Sequence, residues 1–160
     1  MTDVVDKKTR SRMMAGIRGK NTRPELAIRN GLFRAGFRYR LHASDLPGKP
    51  DLYLPQYRAV ILVHGCFWHG HKCQLFKWPS SNRDFWKAKI TRNRKVDRMV
   101  EDRLKKSNLR RGTVWECALK GRAKIPLSWV LVRLVRWLKS ERKKIVIAGF
   151  IRTGSRKRLR

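Results

Sequence analysis

The sequence predicts one α/β domain in which helices flank a mixed central sheet. Two observations predict this fold class. Short apolar segments of strand length alternate with longer segments that repeat apolar residues at helical spacing, and 160 residues are enough for one domain of ordinary size. The predicted organisation is a basic N-terminal arm over residues 1–20, the folded domain over residues 21–140, and a basic C-terminal extension over residues 141–160.

The first predicted helix follows a capping box. Thr22 and Glu25 stand three residues apart, and Pro24 lies between them in the expected first turn. Apolar residues then recur to about Ala35, and Gly36 is typical of the residue that ends a helix.

Three strands are predicted after this helix. Residues 37–41 and 52–54 have strand-like patterns, and a Pro-Gly turn at residues 47–50 separates them. Residues 59–63 are rich in β-branched side chains, which is typical of a buried central strand. We expect the second and third of these segments to form a hairpin.

The remaining elements continue the alternation. Residues 82–106 have the pattern of a long basic helix, residues 113–116 that of a short strand, and residues 127–139 that of an amphipathic helix. Beyond them, residues 145–147 form one apolar patch in the tail.

The composition indicates a polyanionic partner. Lysine and arginine total 41 against 11 acidic residues, so the formal charge is +30, spread along the chain. No signal peptide opens the chain and no apolar run reaches the roughly 18 residues of a spanning helix, which favours nucleic acid over a membrane. Ribosomal and packaging proteins seldom carry 6 tryptophans and 6 phenylalanines, as this chain does.

The densest group of chemistry-bearing residues is residues 64–73, with three histidines and two cysteines directly after the predicted central strand. With one distant cysteine, this segment can supply the closed Cys₃His tetrahedron that structural zinc prefers. The four candidate ligands are Cys66, His71, Cys73 and Cys117. Three cysteines cannot all pair as disulfides, and a reducing cytoplasm is expected. The alternative is three buried, unliganded cysteines.

Two histidines remain outside this ligand set. His64 and His69 lie on either side of Cys66, and a neutral imidazole can take a proton from water. One of them is therefore a candidate general base. The alternative is that both are surface residues.

Asp51 is the candidate ligand for a second metal. It begins a predicted strand after Pro50, and a hairpin turn centred near Tyr57 would place its carboxylate beside the main-chain carbonyl of Val63. Two such hard oxygen ligands suit an incompletely coordinated Mg²⁺. Glu25 has two interpretations, a helix cap or an acceptor for a water in the coordination shell of that metal.

Aromatic side chains beside the candidate zinc ligands are candidate DNA contacts. Phe67 and Trp68, together with Trp86 on the basic helix, could wedge between base pairs. Mismatched pairs suit this mode because they cost less to open. Lys89 and Asn93 share one helix face that could reach base edges. The alternative for Trp86 is an ordinary core position.

These residues resemble the very-short-patch repair endonucleases over roughly residues 1–140. The motifs that carry the resemblance are Arg10-Ser11 with Met14 and Ile17, residues 46–51 (LPGKPD), residues 64–69 (HGCFWH) with His71 and Cys73, Phe85-Trp86 with Lys89, Ile90 and Asn93, and residues 114–119 (VWECAL). The fold that the resemblance implies is restriction-endonuclease-like with a structural zinc site.

The resemblance also implies an activity, namely strand-specific cleavage 5′ to the thymine of a T·G mismatch left by deamination of 5-methylcytosine. By position, Asp51 and the Val63 carbonyl would hold Mg²⁺. His69 would activate the attacking water, and His64 and Glu25 would support the site. The chain would act as a monomer on mismatched double-stranded DNA in a prokaryotic cytoplasm, at the nucleoid, with mismatch-repair proteins as further candidate partners.

The remaining roles follow from the same resemblance. The four candidate zinc ligands would hold Zn²⁺, and the three wedge aromatics would enter DNA from the major groove. Met14 and Ile17 would approach from the minor groove. Two alternatives stay open: a restriction-type nuclease of another specificity, and a non-catalytic basic zinc module that binds DNA.

Two features depart from the family pattern. Residues 109–113 include two arginines and a glycine where the family has a continuous apolar strand, so we expect a shortened strand there and a looser Cys117. The tail after about residue 140 and the size of the positive charge also lie outside the resemblance.

Overall fold

The computed structural model describes residues 6–15 and 19–150; within the first range, the side chains of residue 10 and of residues 13–15 are not described. The helices of this part are α1 (Lys7–Ala15), α2 (Arg23–Arg34), α3 (Arg83–Lys106) and α4 (Leu127–Leu138). The strands are β1 (Arg40–Leu41), β2 (Leu52–Leu54), β3 (Ala59–His64), β4 (Arg110–Trp115) and β5 (Lys144–Ile147). Of the residues predicted to approach the minor groove, Ile17 and the side chain of Met14 lie outside this description.

The five strands form one mixed sheet in the order β1-β2-β3-β4-β5. The first three strands pair antiparallel, and β3, β4 and β5 pair parallel. The predicted fold class is therefore confirmed. Because parallel strands end at the same edge, the residues that follow β3 and β4 meet there, beside the residue that precedes β2.

Helices cover both faces of the sheet. On one face α2 and α4 pack together over the main core, which includes Ile28, Leu32, Ile61, Val114 and Leu134, all fully buried. A smaller cluster on the other face packs against α3. Its buried members are Val60, Leu62 and Leu104. Among the described residues, no helix combines the length and the apolar character that crossing a bilayer requires.

The first part of the capping box behaves as predicted. The Thr22 hydroxyl accepts a hydrogen bond from the Glu25 amide at 3.4 Å, and the helix continues to Arg34. The predicted strand over residues 37–41 is shorter, however, since only β1 pairs within it. Phe37 turns into the core instead and is 5% exposed.

The predicted hairpin register is wrong by one residue. Leu52 pairs with Ile61 and Leu54 with Ala59, so continuing the register would bring Asp51 opposite Leu62 rather than Val63. A 3₁₀ turn at Pro55–Tyr57 is followed by Arg58 in the left-handed conformation (φ 47°). The connection thus holds an even number of residues, which moves its centre away from Tyr57.

The expected shortening of the fourth strand is also wrong. β4 pairs with both neighbours along its length. The Arg110 guanidinium donates to the carbonyls of Trp137, Leu138 and Ser140 at the end of α4, which satisfies the free carbonyls of a helix terminus. At Gly112, an added Cβ would lie 3.0 Å from the Trp137 ring. Arg110 therefore bonds β4 to the end of α4, and Gly112 leaves room for the Trp137 ring of α4 to pack on the strand.

The sheet extends beyond residue 140. β5 lies in the segment predicted as a C-terminal extension, pairs Val146 with Thr113, and buries Ile147 completely. Residues 144–147 are therefore part of the core sheet, and they form one of its edges.

Candidate active site and metal centre

A cavity of about 530 Å³ lies at the carboxyl ends of β3 and β4, on the face covered by α3. Its lining brings together four residues that the sequence analysis selected: Asp51, Val63, His64 and His69. β3 delivers Val63 and His64, while Asp51 directly precedes β2. Glu25 does not line this cavity, but its carboxylate lies next to Asp51, as described below.

Asp51 is held by the backbone of β3. Its Oδ2 accepts a hydrogen bond from the Val63 amide at 2.6 Å, so Val63 contacts this carboxylate through its N–H group. Burial raises the pKa of Asp51 to about 6, with a further increase from the charge of Glu25. The Val63 hydrogen bond and His42 lower the pKa but do not offset burial. A cation beside Asp51 would favour its charged form.

Glu25 joins α2 to this site. It is only 1% exposed, its Oε2 accepts from the Asn21 amide at 2.9 Å, and its Oε1 lies 2.7 Å from His42 Nε2. The return bond of the predicted capping box thus goes to Asn21, one residue before Thr22. One ligand atom each from Glu25, His42 and Asp51 lie within 4.8 Å of one another, a spacing that could hold a metal ion.

His42 has no role in the sequence analysis. A signal was available, because the chain has four histidines and the other three lie in residues 64–73. His42 begins the loop that leads from β1 toward Asp51, and its amide donates to the Asp51 carbonyl at 3.1 Å. This contact fixes the loop against the start of β2.

His64 and His69 form a stacked pair with ring centroids 3.9 Å apart and an interplanar angle of 6°. Burial, together with the neighbouring His69, lowers the pKa of His64 to about 3, so His64 is neutral near pH 7. Within the described part of the chain, its buried Nδ1 has no hydrogen-bond partner. A buried nitrogen without a partner is a natural place for a water or a cation.

Asp97 on α3 orients His69. Its Oδ2 lies 2.7 Å from His69 Nδ1, and a carboxylate acceptor places the proton on that nitrogen. His69 Nε2 is then left as the basic atom of the ring. The sequence analysis missed Asp97, although its spacing of four residues from Asn93 puts both on one helix face.

The four candidate zinc ligands form a compact group at the end of β3, which we call the Cys/His cluster. His71 Nδ1 lies 3.6 Å from the Sγ atoms of both Cys66 and Cys117. Bond lengths of about 2.0–2.1 Å to nitrogen and about 2.3 Å to sulfur place such atoms about 3.5–3.6 Å apart around tetrahedral zinc. The spacing of the donors therefore matches a zinc site.

Backbone amides point at the sulfur atoms of this cluster. Cys66 Sγ accepts from the Cys117 amide and Cys117 Sγ accepts from the Gly149 amide, both at 3.3 Å. Such bonds favour thiolates over thiols. Burial raises the pKa of both thiols and lowers that of His71, so a bound cation is needed to hold the cysteines deprotonated.

The loop between the two sites is held by its neighbours. Asn93 donates from Nδ2 to the Trp68 carbonyl at 2.7 Å, which commits this amide nitrogen to the loop and leaves a contact to base edges as a prediction for its oxygen. Glu116 Oε2 accepts from the Cys66 amide at 3.2 Å. Gly70 has φ +60°, and an added Cβ would lie 2.6 Å from the Ile90 side chain and clash with it.

The predicted wedge residues pack against each other. The rings of Phe67, Trp68 and Trp86 form an aromatic cluster with centroids 5.2–6.0 Å apart, and each ring is partly exposed. Lys89 Nζ lies 5.3 Å from the Trp68 ring centroid. Trp86 is thus neither a fully buried core residue nor free of packing.

We expect that the Cys/His cluster binds zinc and that chelating this metal unfolds the domain, because the cluster joins the loop after β3 to the end of β4. The apparent free energy of structural zinc binding is of order 10 kcal/mol, comparable to the stability of a domain. Near-ultraviolet circular dichroism during chelation would show the loss of tertiary structure. Adding Zn²⁺ should restore the signal and adding Mg²⁺ should not. Folded protein that contains no zinc by metal analysis would contradict the expectation.

Asp51→Asn is expected to stabilise the metal-free protein at neutral pH. The raised pKa of Asp51 means that its ionisation opposes folding, by about 2–3 kcal/mol for a change from 3.8 to about 6. Below about pH 4 the carboxyl is protonated in both folded and unfolded chains, so the gain should be absent there, grow between pH 4 and 6, and stay constant above. Urea unfolding at several pH values measures this.

The control for this substitution is Asp45→Asn, since Asp45 is an exposed carboxylate whose pKa is lowered by hydrogen bonding to Arg40. It should bring no stability at pH 7. An equal gain in both variants would show that loss of a negative charge, and not the burial of Asp51, is the cause.

The chain shares a large part of its sequence with known proteins. The profile of the family described as DNA mismatch endonuclease Vsr matches residues 2–75. The chain is 46% identical to the type II nicking enzyme V.XorIIP of Xanthomonas oryzae pv. oryzae over 119 residues, which cover 74% of this chain and 88% of the relative. It is 45% identical to the type II nicking enzyme V.NmeAIP of Neisseria meningitidis over 77% of this chain and 88% of the relative.

A third relative matches over a longer range. The chain is 42% identical to the DNA mismatch endonuclease Vsr of Escherichia coli over 141 residues, which cover 88% of this chain and 90% of that protein. Identities of this size over most of both chains show shared ancestry. The predicted resemblance is thereby confirmed, and the chain belongs to the Vsr family of DNA nicking endonucleases.

Proposed function

We propose that this protein makes a strand-specific nick 5′ to the thymine of a T·G mismatch, the lesion left when 5-methylcytosine deaminates, and that the hydrolysis requires Mg²⁺. The observation that carries this proposal is the meeting of Asp51 and His69 in one cavity. Similarity to a protein named DNA mismatch endonuclease Vsr supports the mismatch specificity.

The proton acceptor in this reaction is His69. Asp97 holds the proton of the ring on Nδ1, so Nε2 can accept a proton from the attacking water. The same carboxylate stabilises the imidazolium that results, as an aspartate does for the histidine of a catalytic triad. His64 stacks on His69, and its lowered pKa keeps it neutral near pH 7, so it adds no positive charge beside the ring that accepts the proton.

The group of residues beside the start of β2 suits Mg²⁺, because it offers carboxylate oxygens and Mg²⁺ prefers oxygen ligands. Asp51 and Glu25 would contribute carboxylates, and the Val63 carbonyl remains a predicted ligand, with His42 beside them. When bound, Mg²⁺ neutralises phosphate charge and acts as a Lewis acid toward water. Asp51 has little water around its carboxylate. This burial raises the pKa of Asp51, and it also strengthens the attraction of the ionised carboxylate for a cation.

The aromatic cluster supplies a means of selecting a mismatch. Phe67 and Trp68 project from the loop that connects the Cys/His cluster to His69. Inserting such rings into DNA costs unstacking free energy, and this cost is lower at a mismatched pair. A weak base pair would therefore place its neighbouring phosphate in the catalytic cavity more readily than an intact pair.

A nicking assay tests the proposed function. With Mg²⁺ the protein should nick a T·G duplex and leave a C·G duplex of the same sequence largely intact. His69→Ala and Asp51→Ala should each lower the rate by a factor of about 100 or more, the scale of losing a general base or a metal ligand. Both variants should keep most of their affinity for DNA.

Two outcomes would contradict the proposal. Equal rates on T·G and C·G duplexes would favour a nuclease that acts on intact sites, the alternative left open by the relatives named type II nicking enzymes. Loss of binding in parallel with loss of nicking would favour a DNA-binding module without catalysis. Running the same assay with EDTA and with Mg²⁺ tests the metal dependence independently of these two outcomes.

Asp97→Asn tests the positioning role of Asp97. The variant loses the anion that orients and supports His69, so we expect nicking about 10- to 100-fold slower, as for other outer partners of functional histidines. Because Asp97 acts through the orientation of the His69 ring, the loss should fall on kcat, and KM for the duplex should change little. Asp102→Asn is the matched control, because Asp102 is an exposed carboxylate on the same helix. A variant that is slowed mainly through a higher KM would contradict this role.

A further inference from the structure

A basic hollow of about 470 Å³ lies where α4 meets β5, the edge strand of the described sheet; we call it the α4–β5 groove. Its cationic lining residues are Arg133, Arg136, Arg142 and Lys144. Among residues 6–15 and 19–150, no acidic residue lines this groove. Neither the resemblance nor the proposed chemistry gives these residues a role.

The four cations are free to bind a partner. Each is exposed, and within residues 6–15 and 19–150 none of them forms an ion pair with a carboxylate. Other arginines of the chain are used internally, as Arg110 is at the end of α4 and Arg111 is with Glu101. Unpaired cations that converge on one hollow are suited to an anion with several charges, such as a nucleic-acid backbone.

The α4–β5 groove adjoins the catalytic cavity at one shared residue of β5. Val146 lines both hollows and its side chain is 46% exposed. The pairing of Val146 with Thr113 explains this position, because Thr113 lies in the cavity while β5 is the edge of the sheet. A DNA strand that leaves the cavity across β5 would therefore come next to the cationic residues of the α4–β5 groove.

We infer that the α4–β5 groove binds the phosphate backbone of the DNA that leaves the catalytic cavity, and that it lengthens the duplex footprint on one side of the nick. The inference rests on the proposed function, since DNA in the cavity is what brings phosphates to the groove. It also gives a role to part of the charge of +30.

The test uses the full chain with Arg133, Arg136, Arg142 and Lys144 all changed to Gln. Binding is measured on mismatched duplexes that are lengthened on one side of the mismatch at a time, across a range of salt concentrations. For the original protein, lengthening on one side should raise affinity and steepen the salt dependence. The variant should lose this gain, and its log–log salt slope should be shallower by about 0.9 for each phosphate that the protein no longer neutralises, up to about 3.6.

The matched control removes the same charge elsewhere. It changes four other exposed cations that line neither hollow, Arg34, Lys105, Lys106 and Lys124, to Gln. This control should keep the gain from a longer duplex. An equal loss in both variants would overturn the inference, because net charge alone would then explain it. So would a groove variant that binds duplexes of every length like the original protein, a result that would favour an acidic protein as the occupant.

Nicking of the shortest duplex separates this inference from the proposed function. The groove variant should nick that duplex at the original rate, since none of its four positions lies in the cavity. Absence of nicking by the original protein would instead count against the proposed function. If the fourfold variant fails to fold, the pairs Arg133→Gln with Arg136→Gln and Arg142→Gln with Lys144→Gln each should show about half of the change in slope.

Discussion

The arrangement of the site depends on the convergence of four donor atoms in the Cys/His cluster. This cluster joins the loop after β3 to Cys117 in the 3₁₀ turn after β4, and Cys66 and Cys117 are 51 residues apart in the chain. The loop has no regular structure of its own between β3 and α3. A metal at this point would therefore hold His69 at the edge of the sheet, and would fix the aromatic cluster relative to the cavity.

The catalytic cavity combines groups whose burial is unfavourable without a cation. Asp51 and Glu25 are two carboxylates in close proximity, and Glu25 is almost fully buried. His42 and the amides of Asn21 and Val63 compensate part of this cost through hydrogen bonds. The site thus keeps destabilising features that a cation would relieve, which is a common compromise between stability and function.

Positive charge serves different purposes in different parts of the molecule. Arg110 completes the end of α4, and Arg94 contacts the carbonyls of His69 and Gly70 behind the cavity. These arginines are structural because their donors are used inside the protein. The exposed cations that have no such partner are the ones available to phosphates, and they include those of the α4–β5 groove. Hydrogen-bond use, more than position in the sequence, separates the two groups.

By itself the sequence determined the order of the elements from α2 to α4, the four residues of the Cys/His cluster and four of the residues that line the cavity. These are local properties, since periodicity follows from the secondary structure and ligand chemistry follows from residue type. Only the tertiary structure decided the hairpin register, the full length of β4, and the partnership of His42 and Asp97 with Glu25 and His69. Those features depend on contacts between segments far apart in the chain. Arg110 shows the reason clearly, because in the sequence it is a charge that should weaken a strand, and in the fold it finds carbonyls that only α4 can present.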